Sequence, residues 1–164
     1  MAATPTIVTC PSCATKNRVR ATASGVPRCS ACHTALPWIV ETDAGGFDEE
    51  ITASVPVLVD FWAPWCGPCR MVSPIVEQTG REFAGRLKVV KLNVDHAPAI
   101  SARYQVQGIP LLVVIEDGHE VDRVVGQLPA ARLRELVQRH LGSAPAASAR
   151  REHPGERTAR PGGV

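Results

Sequence analysis

A chain of 164 residues with 45% hydrophobic side chains is long enough for one globular domain of ordinary size and a small additional module. The net charge of +2 divides into +4 over residues 1–38, −4 over residues 39–142 and +2 over residues 143–164, and the basic segment lacks the interleaved aromatic residues that would favour nucleic-acid binding. The longest apolar run, Leu111–Ile115, is far too short to cross a bilayer, and residues 1–6 have neither a basic nor an apolar signal segment, so we expect a cytoplasmic protein.

Three segments of different composition follow one another along the chain. Residues 1–37 hold four of the six cysteines and too few apolar residues to build a hydrophobic core, so another interaction must hold this module together. Residues 38–142 alternate apolar strands with helical patterns and form the main predicted domain. Residues 143–164 are rich in Ala, Pro, Ser, Gly and Arg without apolar periodicity, which predicts a disordered tail.

The pattern of the middle segment predicts an α/β fold. In chain order the predicted elements are strand Trp38–Val40, helix Phe47–Thr52, strand Val55–Trp62, helix Cys66–Phe83, strand Leu87–Val94, helix Ala97–Tyr104, strands Leu111–Ile115 and Val121–Val125, and helix Pro129–Leu141. Asp117-Gly118 between the last two strands indicates a hairpin, and Pro74 predicts a kink in the second helix. This order gives a mixed central sheet with helices on both faces.

Cys66-Gly67-Pro68-Cys69 places two thiols two residues apart where a buried strand passes into a helix. A thiolate at a helix N-terminus faces unpaired backbone N–H groups and the positive end of the helix dipole, so we expect the pKa of Cys66 to lie below the free value of about 8.5. Cys69, one turn later on the same face, should be deeper and stay protonated until needed. A static disulfide or two inert thiols are the alternatives, and the position at a helix start favours a redox-active pair.

Asp60 is an acidic residue inside an apolar strand, where a buried carboxylate is costly unless it has a role. Desolvation should raise its pKa, and an acid beneath the dithiol could take and return the proton of Cys69. Lys91 in the neighbouring predicted strand is a candidate ion-pair partner that tunes Asp60. The alternatives are an exposed Asp60 on an edge strand and a surface lysine at position 91.

Ile109-Pro110 lies just before a predicted strand. An X-Pro bond can be cis at modest cost. If this loop packs against the dithiol, the backbone of Ile109 can pair with an extended substrate segment. The alternative is an ordinary turn proline.

These motifs together resemble the thioredoxin family in order and spacing over about residues 38–142: Asp60 to Cys69 (DFWAPWCGPC), Lys91 to Asp95 (KLNVD), Gly108-Ile109-Pro110, Asp117-Gly118 and Val125-Gly126. The resemblance implies the thioredoxin fold and a protein-disulfide reductase in which Cys66 attacks target disulfides and Cys69 resolves the mixed disulfide. A lowered pKa of the first cysteine is also a known property of thioredoxins.

The same resemblance implies roles for residues around the dithiol. Asp60 with Lys91 would handle the proton, Pro110 would be cis beside the active site, and Trp62 and Trp65 would pack around it. Substrate would be bound by Trp65, Ile109 and Pro110. One departure is Leu111, since the residue after the cis-proline is usually Thr in the family, and we expect it to make the substrate groove more apolar.

Cys10-Pro11-Ser12-Cys13 and Cys29-Ser30-Ala31-Cys32 are separated by 15 residues, which is a zinc-site spacing. Four thiolates from Cys10, Cys13, Cys29 and Cys32 make a closed tetrahedral shell, so the predicted zinc is structural and explains how a segment without a core can fold. A zinc ribbon ahead of a thioredoxin domain resembles the zinc-containing thioredoxin-2 type of bacteria.

Three other interpretations of these cysteines stay open. Cys29-Ser30-Ala31-Cys32-His33 fits the C-x-x-C-H pattern of c-type haem attachment, although attachment occurs in an exported context. His33 could replace one cysteine as a ligand. The four cysteines could also act as a second redox-active set that oxidants convert to disulfides with release of zinc.

The leading hypothesis is a monomeric protein-disulfide reductase that acts on disulfide-containing client proteins. It would carry one zinc ion and no bound organic cofactor, and NADPH would serve it indirectly through thioredoxin reductase. A zinc-controlled holdase or adaptor that uses the basic module is the second hypothesis, and an exported oxidase or isomerase is the third. Gly-Pro between the cysteines favours the first, since oxidants and isomerases of the superfamily usually place His there.

Overall fold

The computed structural model describes residues 6–19 and 25–142. In these residues seven strands form two sheets. In the N-terminal module, β1 (Thr6–Thr9) pairs antiparallel with β2 (Lys16–Val19). The remaining elements are β3 (Trp38–Thr42), α1 (Phe47–Glu50), β4 (Val57–Trp62), α2 (Gly67–Glu82), β5 (Lys88–Asn93), a short 3-10 helix (Val94–His96), α3 (Pro98–Arg103), β6 (Leu111–Glu116), β7 (His119–Val125) and α4 (Ala130–His140). The predicted tail at residues 143–164 lies outside the described residues.

The central sheet is mixed, as predicted, with the strand order β3-β5-β4-β6-β7. Strands β3, β5 and β4 run parallel, whereas β6 is antiparallel to both β4 and β7. The tight turn between β6 and β7 has positive φ at both Asp117 (50°) and Gly118 (78°), as a type I′ hairpin requires. Each element predicted between Trp38 and Leu141 is present, with ends that differ by at most two residues. Helix α2 continues through Pro74.

Strand β4 is buried on both faces because it lies in the middle of the sheet. Val57, Val59 and Phe61 belong to the core on the α1 side. Leu58 points to the opposite face, where it packs in one cluster with residues of α2 and α4. Because side chains alternate along a strand, Asp60 also faces the side covered by α2.

The N-terminal module packs onto the main domain instead of standing apart from it. Leu36 is fully buried, and it shares one apolar cluster with Cys10, Val19, Cys29 and the first residue of β3, Trp38. The β1–β2 hairpin was not predicted from the sequence. Within the described parts of the chain, no helix combines the length and apolar character needed to span a membrane.

Candidate active site and metal centre

The dithiol lies at the junction between the end of β4 and the start of α2. Cys66 is the N-cap residue of α2, and its Sγ accepts a hydrogen bond from the backbone N–H of Cys69 at 3.2 Å. Pro68 occupies the first turn, where a missing N–H leaves no bond unmade. The two sulfurs form a disulfide with an S–S distance of 2.18 Å. Cys66 is 4% exposed and Cys69 is 3% exposed, so Cys69 is not markedly deeper, and the two differ chiefly in their positions on the helix.

The loop before β6 lies against the dithiol. The carbonyl oxygen of Ile109 is 3.8 Å from Sγ of Cys66, and the Ile109–Pro110 peptide bond is cis, as the resemblance implied. Ile109 and Trp62 also pack on the small cluster formed by Ala63 and the two cysteines. Leu111, the departure from the family pattern, is 1% exposed and lies in the core on the α1 side. Its effect on the apolar character of the substrate groove stays a prediction.

Trp65 precedes the dithiol and is 66% exposed, the most exposed large hydrophobic side chain of the described residues. Its indole N–H donates to both carboxylate oxygens of Asp95, at 3.1 and 3.0 Å. This hydrogen bond holds the exposed aromatic ring of the residue that directly precedes Cys66. Asp95 was not assigned a site role from the sequence, although it ends the KLNVD motif.

Asp60 is 1% exposed, which excludes an edge-strand surface position. Burial raises the pKa of Asp60 to about 6, while the charge of Lys91 lowers this pKa and the charge of Glu77 raises it. A carboxyl with a pKa near neutrality can exist in both protonation states under ordinary conditions.

Lys91 lies opposite Asp60 in the register of β4 and β5. Its ammonium donates to the hydroxyl of Ser73 at 2.7 Å and to Oε1 of Glu77 at 2.9 Å, and in the described parts of the chain its ion pair is with Glu77 and not with Asp60. Sequence analysis missed Ser73 and Glu77. Their spacing of four and eight residues from Cys69 places all three on one face of α2, which is the signal that could have found them.

The four cysteines of the N-terminal module converge at one point. All four Sγ atoms lie within 4.8 Å of one another, with 3.5 Å between Cys10 and Cys32 and 3.5 Å between Cys13 and Cys29. Thiolates about 2.3 Å from one zinc ion at tetrahedral angles are roughly 3.8 Å apart, so the cluster fits a tetrahedral metal site. His33 is not part of this metal-ligating group of described residues.

Two similar turns shape the cluster. In each, the first cysteine accepts a backbone hydrogen bond from a residue with positive φ four positions on, Ala14 (58°) in the first and His33 (61°) in the second. Asn17 from β2 joins the turns. Its amide Nδ2 donates to the carbonyl of Thr15 beside the first turn at 2.8 Å and lies 3.6 Å from Sγ of Cys29 in the second turn, and its Oδ1 accepts from the backbone N–H of Ser30 at 2.9 Å. Sequence analysis also missed Asn17.

The thiols of the cluster differ in acidity. Burial raises the pKa of Cys10 to about 11, whereas the backbone N–H of Cys32 lowers the pKa of Cys29 to about 6. A bound divalent cation would ionise all four, because a coordinating thiol is deprotonated outright. Four cysteine ligands would leave no exchangeable position on a tetrahedral metal ion, which is typical of structural sites.

Two sulfurs that close and open a disulfide at the start of a helix define the dithiol–disulfide oxidoreductases. The thioredoxin family model matches residues 38–139. Thioredoxin 1 of Synechococcus elongatus is 46% identical over 100 residues, which cover 61% of this chain and 94% of that protein. A thioredoxin of Staphylococcus aureus is 43% identical over 103 residues, which cover 63% of this chain and 98% of that protein.

Among solved structures, a mutant thioredoxin from Halobacterium salinarum superposes with a TM-score of 0.62 at 33% identity, covering 68% of this chain and 99% of that one. The chain therefore belongs to the thioredoxin family and is a protein-disulfide reductase. Its four-cysteine cluster fits the zinc-ribbon, thioredoxin-2 type.

Proposed function

We propose that this protein reduces disulfide bonds of client proteins in the cytoplasm and is itself reduced by thioredoxin reductase, with NADPH as the distant electron source. The single observation that carries the proposal is Cys66 at the N-cap of α2, closed in a disulfide with Cys69. In this proposal the protein acts as a monomer, with a zinc ribbon at residues 1–37 and the thioredoxin domain at residues 38–142.

In the first step, the thiolate of Cys66 attacks one sulfur of a client disulfide. A mixed disulfide forms between Cys66 and the client, and the other client sulfur leaves as a thiolate that takes up a proton. The backbone N–H of Cys69, which points at Sγ of Cys66, supports the anionic form of the attacking sulfur.

In the second step, Asp60 takes the proton of Cys69, and the resulting thiolate attacks Sγ of Cys66. The Cys66–Cys69 disulfide forms, and the second client sulfur leaves and is protonated. Two electrons pass from the dithiol to the client disulfide. The raised pKa of Asp60, about 6, supports a role as proton acceptor, since the carboxyl can hold and release a proton near neutral pH.

Client binding would use the surface around Cys66. The Ile109 backbone next to the sulfur, in the loop that contains Pro110, supports pairing with an extended client segment, as when a peptide adds to a strand edge. The exposed ring of Trp65, fixed by Asp95, offers an apolar contact beside it.

Zinc would be held by Cys10, Cys13, Cys29 and Cys32. When bound, it would supply a closed cross-link between the two cysteine turns. Because the ribbon shares a core cluster with Trp38, this cross-link would also stabilise the start of β3. Metal analysis should find one zinc ion per chain. In oxidised protein, whose Cys66 and Cys69 are joined, the four ribbon thiols should react with a thiol reagent only after chelation. Full reaction before chelation would rule out a metal-occupied site.

The reductase proposal is tested by coupling NADPH oxidation through thioredoxin reductase to a protein disulfide. Wild-type protein should turn over. Cys66→Ser should be inactive, and Cys69→Ser should accumulate a mixed disulfide with the client because nothing resolves it. Full turnover by Cys66→Ser would contradict the assignment of the attacking sulfur. Cell fractionation tests the location, and enrichment outside the cytoplasm would exclude the cytoplasmic part of the proposal.

A further inference from the structure

Lys91 lies directly opposite the carboxylate of Asp60 but does not form an ion pair with that carboxylate. Asp60 and Lys91 are register partners on neighbouring parallel strands, a position from which oppositely charged side chains commonly interact. Within the described residues, no oxygen of Asp60 lies within the 4.0 Å that defines an ion pair with the ammonium of Lys91. Something therefore holds the ammonium in another direction.

Helix α2 supplies the groups that do so. Ser73 and Glu77 are four residues apart on one face of the helix, and both bind the Lys91 ammonium, at 2.7 and 2.9 Å. The ring of Trp62 lies beneath the same ammonium at 5.7 Å. Three separate contacts thus fix the cation against α2 and the Trp62 ring, and the Lys91 side chain is only 16% exposed.

We propose that Glu77 is a positioning residue of the dithiol reaction: together with Ser73 it keeps the Lys91 ammonium away from the Asp60 carboxyl, which leaves Asp60 free to carry a proton. The inference rests on the role of Asp60 in the proposed function. Glu77 touches neither the sulfurs nor a client, and it acts through the place it gives to Lys91.

The reasoning follows from the effect of distance on a buried acid. An ammonium bound directly to Asp60 would hold the carboxyl as the anion and depress its pKa. At its present place, Lys91 lowers the pKa less than burial raises it, so the pKa of Asp60 stays near 6. The negative charge of Glu77 raises the same pKa further. Glu77 therefore raises the pKa of Asp60 in two ways, through its own charge and through the position that it gives to Lys91.

Other charged side chains also lie near this site. Glu77 also pairs with Arg81 on the next turn, at 3.6 Å. Glu41 of β3 is the register partner of Lys91 on the other side, and from β6 the partner of Asp60 is the apolar Leu112. A groove of about 500 Å³ between β1 and the main domain reaches Lys91, Glu77, Arg81 and Glu41. Because the groove is open to solvent, the charges are partly screened and the expected shifts are moderate.

The test follows the Asp60 carboxyl carbon by NMR through a pH titration of the oxidised protein, in which Cys66 and Cys69 are joined and do not titrate. In Glu77→Gln the midpoint should fall by about one pH unit, since a negative charge is lost and Lys91 is released. Ser73→Ala should also lower the Asp60 midpoint, although it changes no charge. Glu82→Gln is the matched control, because Glu82 lies on the same helix with nearly the same side-chain exposure, 35% against 36%.

An Asp60 midpoint that stays in place or rises in Glu77→Gln would overturn the proposal, as would an equal fall in Glu82→Gln. The pH profile of client reduction supplies the second measurement, and it should move to lower pH in Glu77→Gln alongside the midpoint. If the midpoint moves but the profile does not, the proton-carrying role of Asp60 fails while the placement of Lys91 by Glu77 stands.

Discussion

Gly85 faces Ala35 across the contact between the thioredoxin domain and the N-terminal module. A Cβ at position 85 would lie 2.7 Å from the Cβ of Ala35 and 3.7 Å from Cγ1 of Val26. The backbone of Gly85 also has a φ of +88°. Glycine here serves both a left-handed turn after α2 and the close approach of the two modules.

Gly85→Ala should therefore destabilise the protein twice, through backbone strain and through the clash with Ala35. We expect a loss of about 2–4 kcal/mol in the free energy of unfolding, measured by urea denaturation. Gly118→Ala is the control, because Gly118 has a φ of +78° with no atom near its missing Cβ. It should lose only about 1 kcal/mol from strain. Equal losses in the two variants would show that the modules do not press together at this point.

A buried ion pair lies on the opposite face of the sheet from Asp60. Nζ of Lys88 is 2.7 Å from Oε2 of Glu50, both side chains are 1% exposed, and the ammonium stands 4.5 Å from the Trp38 ring centre. Glu50→Gln should lower the free energy of unfolding by about 3–5 kcal/mol, because it removes the carboxylate that pairs with a buried ammonium. Urea denaturation measures this loss.

The double variant Glu50→Leu with Lys88→Met measures the interaction between the two side chains apart from their other contacts. The double variant should recover most of the stability lost in Glu50→Leu alone or in Lys88→Met alone, since two apolar side chains of similar volume need no charge partner. Losses that simply add in the double variant would mean that the two residues act independently.

Sequence reasoning predicted the thioredoxin-domain elements and the dithiol because their signals are local. A buried strand is a run of apolar residues, and Asp117-Gly118 is a dipeptide typical of two-residue hairpin turns. The β1–β2 hairpin was missed because Lys16–Val19 alternates buried and exposed residues without an apolar repeat, since Asn17 fills one of the inward positions. Its fold depends on the cysteine turns instead of on hydrophobic periodicity.

The supporting residues of the sites could not be predicted for a different reason. Lys91 was matched with Asp60 from strand adjacency alone, but its partner is chosen by α2, 14 residues earlier in the chain. Glu50 and Lys88 likewise meet only in the folded protein. Side-chain pairs between distant segments depend on how elements pack, and one sequence does not encode that packing in any local pattern.

The stability of the protein should depend on pH through Asp60. Burial raises the pKa of this carboxyl from 3.8 to about 6, so between these values the folded state binds more protons than the unfolded state. The free energy of unfolding contributed by Asp60 is then fully present below about pH 4 and falls as the pH rises towards 6, by about 3 kcal/mol in total. Asp60→Asn removes this loss, so the variant should gain stability relative to wild type as pH increases.

Urea denaturation of both proteins at pH 4 and pH 8 measures the effect as a difference of differences. The advantage of Asp60→Asn should be larger at pH 8. Asp117→Asn is the control, because it makes the same chemical change at an exposed turn position where the carboxyl is not buried. An Asp60→Asn advantage that does not change with pH would mean that the carboxyl is not held neutral by burial.

Asn17 should set the metal affinity of the four-cysteine cluster. Its amide donates towards Sγ of Cys29 at 3.6 Å and to the carbonyl of Thr15 at 2.8 Å, so it orients one ligand and one turn together. Asn17→Asp keeps the side-chain shape but replaces a donor with a negative charge beside the thiolates. We expect zinc affinity to fall by about 10–100-fold, measured by competition with a chromogenic chelator. Ser30→Ala is the control, since it removes only the hydroxyl contact to Oδ1 of Asn17 and leaves the Cys29 contact intact. If Ser30→Ala weakened zinc binding as much as Asn17→Asp did, the amide contact to the sulfur would not be what orients the ligand.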